Sequence, residues 1–112
     1  MSSNQLIKGT LQTIILKLLE DNKQMYGYEI TQKVKETTSG EILLTEGALY
    51  PALHKLEADG LLETHTQVVD NRVRKYYALT EKGGKEVTSK IEEAQAFMDQ
   101  LQLLLNLKPN LQ

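Results

Sequence analysis

The chain has 112 residues, 40% of them apolar and 25% charged, which fits one soluble globular domain with a modest core and excludes a disordered polymer. It has no cysteine, which excludes a disulfide framework and a thiolate metal site. Its net charge of −2 excludes nucleic-acid binding through bulk basicity: residues 1–78 hold 9 Lys+Arg against 10 Asp+Glu, and residues 79–112 hold 4 against 5.

Leu11, Ile14, Ile15, Leu18 and Leu19 recur at the spacing of an amphipathic helix, predicted over Gln5 to Glu20. Leu6, Ile7 and Leu16 widen its apolar arc, as in a helix that packs on its own core and on something else. After a turn at Asp21-Asn22-Lys23-Gln24, a second helix is predicted from Gly27 to Thr37, with Ile30 and Val34 inward. Thr38-Ser39-Gly40 ends it, and Glu41-Ile42-Leu43-Leu44 reads as a small strand. The third helix runs from Glu46 to Ala58, with Thr45 as its N-cap, Gly60 at its stop and Leu49, Leu53 and Leu56 inward. Pro51 leaves two readings open. Either the helix continues through a kink that turns Glu46, Ala48 and Tyr50 outward together, or it starts at Pro51, a favoured first position.

Two strands follow, at Leu61–Val68 and Val73–Thr80, with Val69 to Arg72 turning between them and alternation at Leu62, Thr64, Thr66 and Val68. Thr80 caps a last helix whose first turn gains from Glu81 and loses roughly 1 kcal/mol at each of Gly83 and Gly84. In that helix Val87, Ile91, Ala94, Met98, Leu101 and Leu105 are spaced 4, 3, 4, 3, 4, the seam of a heptad pattern. Phe97, Leu104 and Leu107 broaden the seam. From Glu81 to Leu107 the helix would run ~40 Å. A small domain cannot cover that length, so the seam is expected to meet a second copy of the chain. Pro109 is expected to end the helix and leave a loose tail.

The expected architecture is mainly α with a small β-hairpin: a winged helix-turn-helix over residues 1–80 and a dimerisation helix over 81–108, in one compact unit. A helix followed by a hairpin with a basic return strand is suited to double-stranded DNA. On the third helix Tyr50, His54 and Lys55 fall outside the leucine stripe and are expected to be exposed. A tyrosine hydroxyl and a lysine there can hold phosphates, and His54 can meet a base edge or a phosphate. Arg72, Arg74 and Lys75 alternate with Val73 ahead of Tyr76 and Tyr77, as in a wing whose cations reach the backbone or the minor groove. In Tyr26-Gly27-Tyr28 one tyrosine is expected in the core, with the other free to reach a phosphate. The plain alternative for all of these is a solvated helix face and a half-exposed strand.

Catalysis has little to rest on. His54 and His65 are the only histidines, no third metal ligand accompanies them, and no phosphate-binding glycine loop or hydrolase serine pattern occurs. No enzyme, cofactor or metal is expected. No apolar run approaches the ~20 residues of a membrane span, and Met1 to Thr10 has no signal-peptide pattern. A cytoplasmic protein without a membrane partner is therefore expected.

Four stretches, taken in order, carry a specific resemblance: Tyr26-Gly27-Tyr28-Glu29-Ile30; Thr45-Glu46-Gly47-Ala48-Leu49-Tyr50-Pro51-Ala52-Leu53; Leu56-Glu57-Ala58-Asp59-Gly60-Leu61; and Arg74-Lys75-Tyr76-Tyr77-Ala78-Leu79-Thr80-Glu81-Lys82-Gly83. With Lys8-Gly9-Thr10-Leu11 ahead of them, the chain resembles the PadR family of bacterial transcriptional regulators over nearly its whole length. Leu79-Thr80-Glu81-Lys82-Gly83 by itself is shared with other winged-helix families. The resemblance implies a homodimer that usually represses transcription, with the helix containing Tyr50-Pro51 as the recognition helix. It implies DNA contacts at Tyr26 and Tyr28; at Thr45, Glu46, Ala48, Tyr50, His54 and Lys55; and at Arg72, Arg74 and Lys75. The chain looks like the shorter subfamily, with a single C-terminal dimerisation helix.

Some relatives bind flat aromatic drugs between subunits through a tryptophan in that helix. Ala94 stands in its place and the chain has no tryptophan, so that mode is not expected. Ala94, Phe97 and Met98 would line any site for a small apolar effector, with plain dimer core as the alternative. The wing lacks the glycines common before the basic strand, which predicts a shorter or stiffer tip. A DNA-binding repressor at a roughly palindromic operator is the leading expectation. A winged-helix dimer used as a protein-interaction module is the alternative.

Overall fold

The computed structural model describes residues 6–107. Helix α1 (Leu11–Asp21) is followed by strand β1 (Met25–Tyr26), α2 (Gly27–Thr37), α3 (Glu46–Ala58), the hairpin β2 (Leu62–Val69) and β3 (Arg72–Leu79), and α4 (Glu81–Leu105). The sheet has the order β1-β3-β2, with both pairings antiparallel. This is the mainly α, winged helix-turn-helix architecture that the sequence predicts, with a third strand added.

The first helix is shorter than its apolar pattern. A 3-10 turn over Lys8–Thr10 precedes Leu11, and the Thr10 hydroxyl donates to the Ile7 carbonyl at 3.1 Å. Gly9, with no side chain and a high entropic cost of ordering, sits in that break. Gln5, where the helix was predicted to begin, lies outside the described residues. The buried face of α1 is Leu11, Ile15, Leu16 and Leu19, while Ile14 and Leu18 are only half-buried. The helix is apolar on two sides, as expected, but Leu16 belongs to the core and Ile14 to the second side.

The Glu41–Leu44 stretch is not a strand. The backbone turns over at Ser39 (φ 53°) and Gly40 (φ 82°), and the Ile42 amide donates to the Thr38 hydroxyl at 3.0 Å. Only Leu44 of this stretch is buried, pinning the loop to the core just ahead of α3. The strand lies instead at Met25–Tyr26, pairing Met25 with Tyr77 and Tyr26 with Tyr76.

Helix α3 continues through Pro51, which settles the open choice in favour of a start at Glu46. The Thr45 hydroxyl accepts from the Ala48 amide at 3.2 Å. At the other end Gly60 takes a left-handed φ of 79°, the Gly60 amide donates to Glu57 and the Leu61 amide to Leu56. That pair of bonds is a Schellman stop, for which glycine is the low-strain residue. Leu49, Leu53 and Leu56 enter the core as expected, with Ile30, Tyr77, Leu62 and Val87.

The hairpin turns on two residues rather than four. Asp70 (φ 52°) and Asn71 (φ 63°) both adopt left-handed backbone, the requirement of a type I′ turn, and Asp and Asn tolerate it. The tip is a two-residue turn that needs no glycine. Helix α4 starts where expected: the Thr80 hydroxyl accepts from the Gly83 amide at 3.0 Å. It ends at Leu105, before the predicted Leu107, where Asn106 turns left-handed (φ 56°). Pro109 lies outside the described residues.

Only Gly83 and Val87 of α4 are buried. Beyond them the helix projects from the core, giving the molecule extents of 52 × 30 × 26 Å. Val87 was predicted to open the dimer seam. At 1% exposure it instead belongs to the core of the chain itself, so that of the predicted seam only Ile91 onwards is open to solvent. Val87 is buried because Gly83, one turn earlier, has no side chain and lets this part of α4 pack directly on the Leu61 carbonyl.

Candidate nucleic-acid interface

The candidate residues collect on three elements: the start of α2, the solvent side of α3 and the wing. On α3, Glu46, His54 and Lys55 are exposed. Lys55 forms an ion pair with Asp59 one turn on, at 3.2 Å. Thr45 is exposed but its hydroxyl is committed to the cap. Ala48 and Tyr50 are not presented outward with Glu46. Both are half-buried and pack against the core.

Tyr50 was expected on the exposed face, and its place has a specific cause. Its ring lies against Gly27, the first residue of α2, so closely that a β-carbon at Gly27 would stand 2.8 Å from Tyr50 Cζ and collide with the hydroxyl. The tyrosine thus joins the N-terminal half of α3 to the start of α2. The His54 ring lies 6.4 Å from that of Tyr50, centroid to centroid.

At the start of α2, Tyr28 is 64% exposed. Tyr26 is half-buried, in an aromatic cluster on the sheet and not in the central core. Its ring meets Tyr76 edge-on, 5.4 Å apart at 76°. The Tyr26 amide donates to the Glu29 carboxylate at 3.0 Å, which fixes the entry to the helix.

The wing's three cations do not form one patch. Side chains alternate across a strand, so Arg72, Arg74 and Tyr76 share one face of β3 while Val73, Lys75 and Tyr77 share the other. The contacts agree. Lys75 lies 4.0 Å from Glu57 on α3 and 5.5 Å from the Tyr77 ring. Arg74 lies over the Tyr26 ring, with its guanidinium carbon 4.5 Å from the centroid. The Tyr76 hydroxyl beside Arg74 favours its charged form, raising the guanidinium pKa further above its usual range. Among the described residues, neither Arg72 nor Arg74 has a carboxylate within salt-bridge distance.

Several features went unread in the sequence. Strand β1, two residues long, is too short to show a period. The Gly27–Tyr50 contact is long-range. The tip valines Val68 and Val73, cross-strand neighbours at 73% and 72% exposure, become readable once Asp70-Asn71 is taken as a two-residue hairpin loop.

The proposed effector lining is divided. Ala94 and Phe97 border one open groove of about 560 Å³ beside Leu6 and Gly9, while Ala94 and Met98 border another of about 350 Å³ beside Ile14 and Leu18. In the single chain Ala94 is the ridge between two grooves and not the floor of one.

A capped helix with a charged outer face, seated on a second helix and flanked by a basic hairpin, defines a winged helix-turn-helix protein. Residues 15–89 match the transcriptional regulator PadR-like family. The chain is 40% identical over 81 residues to the transcriptional regulator Rv3488 of Mycobacterium tuberculosis, covering 72% of each. It superposes on a transcriptional regulator from Clostridium thermocellum with a TM-score of 0.79 and 31% identity, covering 90% of this chain and 95% of that one. A PadR family transcriptional regulator from Eggerthella lenta gives a TM-score of 0.77 and 26% identity, covering 93% and 88%. The chain belongs to the PadR-like family of transcriptional regulators, in which regulation implies DNA binding.

Proposed function

We propose that the chain is a homodimeric repressor that binds a roughly palindromic operator in the cytoplasm. The observation that carries this reading is the double connection of α4. At its start α4 is tied to the end of the recognition helix α3: the Thr80 hydroxyl donates to the Gly60 carbonyl at 2.6 Å, and Lys82 to the Asp59 carbonyl at 3.0 Å. At its far end Phe97, Met98, Leu104 and Leu105 are all more than half exposed. Fully burying such side chains contributes roughly 1.5–3 kcal/mol each, against an association cost of about 4–15 kcal/mol. A partner copy laid along Ile91, Ala94, Met98, Leu101 and Leu105 would cover them. It would also hold two recognition helices at a fixed spacing, as two half-sites about one helical turn (~34 Å) or a multiple apart require.

In this reading Glu46 and His54 face bases, while Tyr28, Lys55, Arg72, Arg74 and Lys75 hold phosphates. Thr45, Ala48 and Tyr50 seat the recognition helix. Selection from a random duplex library, followed by binding measurements at several salt concentrations, tests the proposal. A two-fold motif should be enriched. Arg72→Ala should flatten the slope of log K against log salt by about 0.9, the loss of one phosphate contact. If no motif were enriched and Arg72→Ala bound as the parent does, the repressor reading would give way to that of a protein-interaction dimer.

A further inference from the structure

We infer that Tyr26 acts on DNA binding as a positioning residue, its ring holding the Arg74 guanidinium ready as a phosphate contact. The inference rests on the repressor reading and assigns Tyr26 a role other than touching DNA. Three features of the structure converge on it. The antiparallel pairing of β1 with β3 sets Tyr26 opposite Tyr76, two residues along the strand from Arg74 and on the same face. The Tyr26 ring is itself held, edge-on to Tyr76 at 5.4 Å, with its backbone amide bonded to Glu29 at 3.0 Å. The guanidinium then lies 4.5 Å above that fixed ring.

An arginine on a hairpin carries large rotamer freedom, which it loses when it grips a phosphate. Stacking on a fixed ring removes much of that freedom beforehand and leaves the positive charge in place. Arg74 remains half-exposed, so the stacked group is open to a ligand. Arg72, one position nearer the tip on the same face, is exposed, and among the described residues it has no such platform. The strand that supplies the platform is the one element of the sheet invisible in the sequence pattern.

The test is a double-mutant cycle in operator affinity, using the full-length chain and the duplex enriched by selection. Tyr26→Leu should weaken binding about two- to five-fold, the range of an exposed cation–π contact. It should do so with little change in salt slope, because the arginine still reaches the phosphate. In an Arg74→Ala background the same substitution should cost nothing further, and Tyr26→Phe, which keeps the ring, should bind as the parent does. Arg74→Lys keeps the charge and loses the flat stack. It should weaken binding at unchanged slope, and it leaves Tyr26 intact should Tyr26→Leu fold poorly. If Tyr26→Leu cost the same with and without Arg74, or Arg74→Lys bound like the parent, the inference would be overturned while the repressor reading stood. A parent that bound no duplex specifically would overturn both.

Discussion

Replacing Gly27 by alanine tests the joint between α2 and α3. A β-carbon there would stand 2.8 Å from Tyr50 Cζ, 3.2 Å from Cε1 and closer still to the hydroxyl. The added methyl must push the half-buried ring outward or lift the start of α2 away from α3. Overpacking of this kind costs about 1–3 kcal/mol. Removing a glycine from a helix returns at most about 0.5–1 kcal/mol, and less at the first helical residue. The expected net loss is about 1–2 kcal/mol, equivalent in a domain of this size to a Tm lower by roughly 4–10 °C. Thermal unfolding followed by circular dichroism at one fixed protomer concentration measures it, because dimer formation makes Tm concentration-dependent. In a Tyr50→Leu background the shorter side chain no longer reaches the methyl, and the loss should shrink below about 0.5 kcal/mol. Operator affinity should fall with Gly27→Ala as well, because the recognition helix is displaced from its neighbour. An equal loss of stability in both backgrounds would refute the reasoning, since the cause would then not be the Tyr50 ring.

Leu101→Asp places a charge in the seam of α4 and should convert the dimer to a monomer by light scattering at micromolar concentration; an intact chain that is already monomeric there would sink the dimer. Thr45→Ala removes the cap of α3 and should cost about 1 kcal/mol, with Thr45→Ser close to the parent in the same unfolding assay. Burial raises the pKa of the Tyr77 phenol above its ordinary 10.0, so the folded state favours the protonated form. That contribution to stability is complete below the ordinary value and is lost as pH rises above it. Tyr77→Phe should therefore flatten the alkaline end of a stability–pH profile, and an unchanged decline in the variant would contradict it.

The helices were legible because their signals are local and redundant. For α3, the Thr45 cap, the leucine stripe and the Gly60 stop agree, and together they outweigh a proline at the sixth helical position. The hairpin was legible from its alternation, although its loop was overestimated because Val69 and Arg72 continue the ladder as a pair. What escaped depends on partners distant in sequence. Met25-Tyr26 becomes a strand only because Tyr76-Tyr77 offers a free edge. Val87 continues the heptad by spacing, yet Gly83 allows α4 to approach Leu61 so closely that this turn is buried in the domain. Tyr50 lies off the leucine stripe, and only the absence of a side chain at Gly27 makes room for it indoors.

The split wing also bears on how a chain of net charge −2 can meet a polyanion. Its candidate cations are of two kinds. Lys55 and Lys75 each face an acid of α3, at 3.2 Å from Asp59 and 4.0 Å from Glu57. Exposed pairs of this sort are worth about 0–1 kcal/mol, so exchanging the carboxylate for a phosphate costs little, but the nearby acid remains and repels the backbone. Arg72 and Arg74 stand on the opposite face of the hairpin, with no carboxylate within salt-bridge distance among the described residues, and Arg74 is steadied by an aromatic ring that carries no net charge. Strand alternation thus separates lysines paired with acids beside α3 from arginines without an ion pair on the outer face. In the repressor reading, attraction for phosphate would be concentrated on the outer face of the wing, away from the acids on and beside α3. A surface of that kind would bind arbitrary sequences weakly, since few phosphates would be neutralised without base contacts. In that reading the acidic balance that argues against nucleic acid at the level of composition is, at the level of side chains, a reason to expect selective binding.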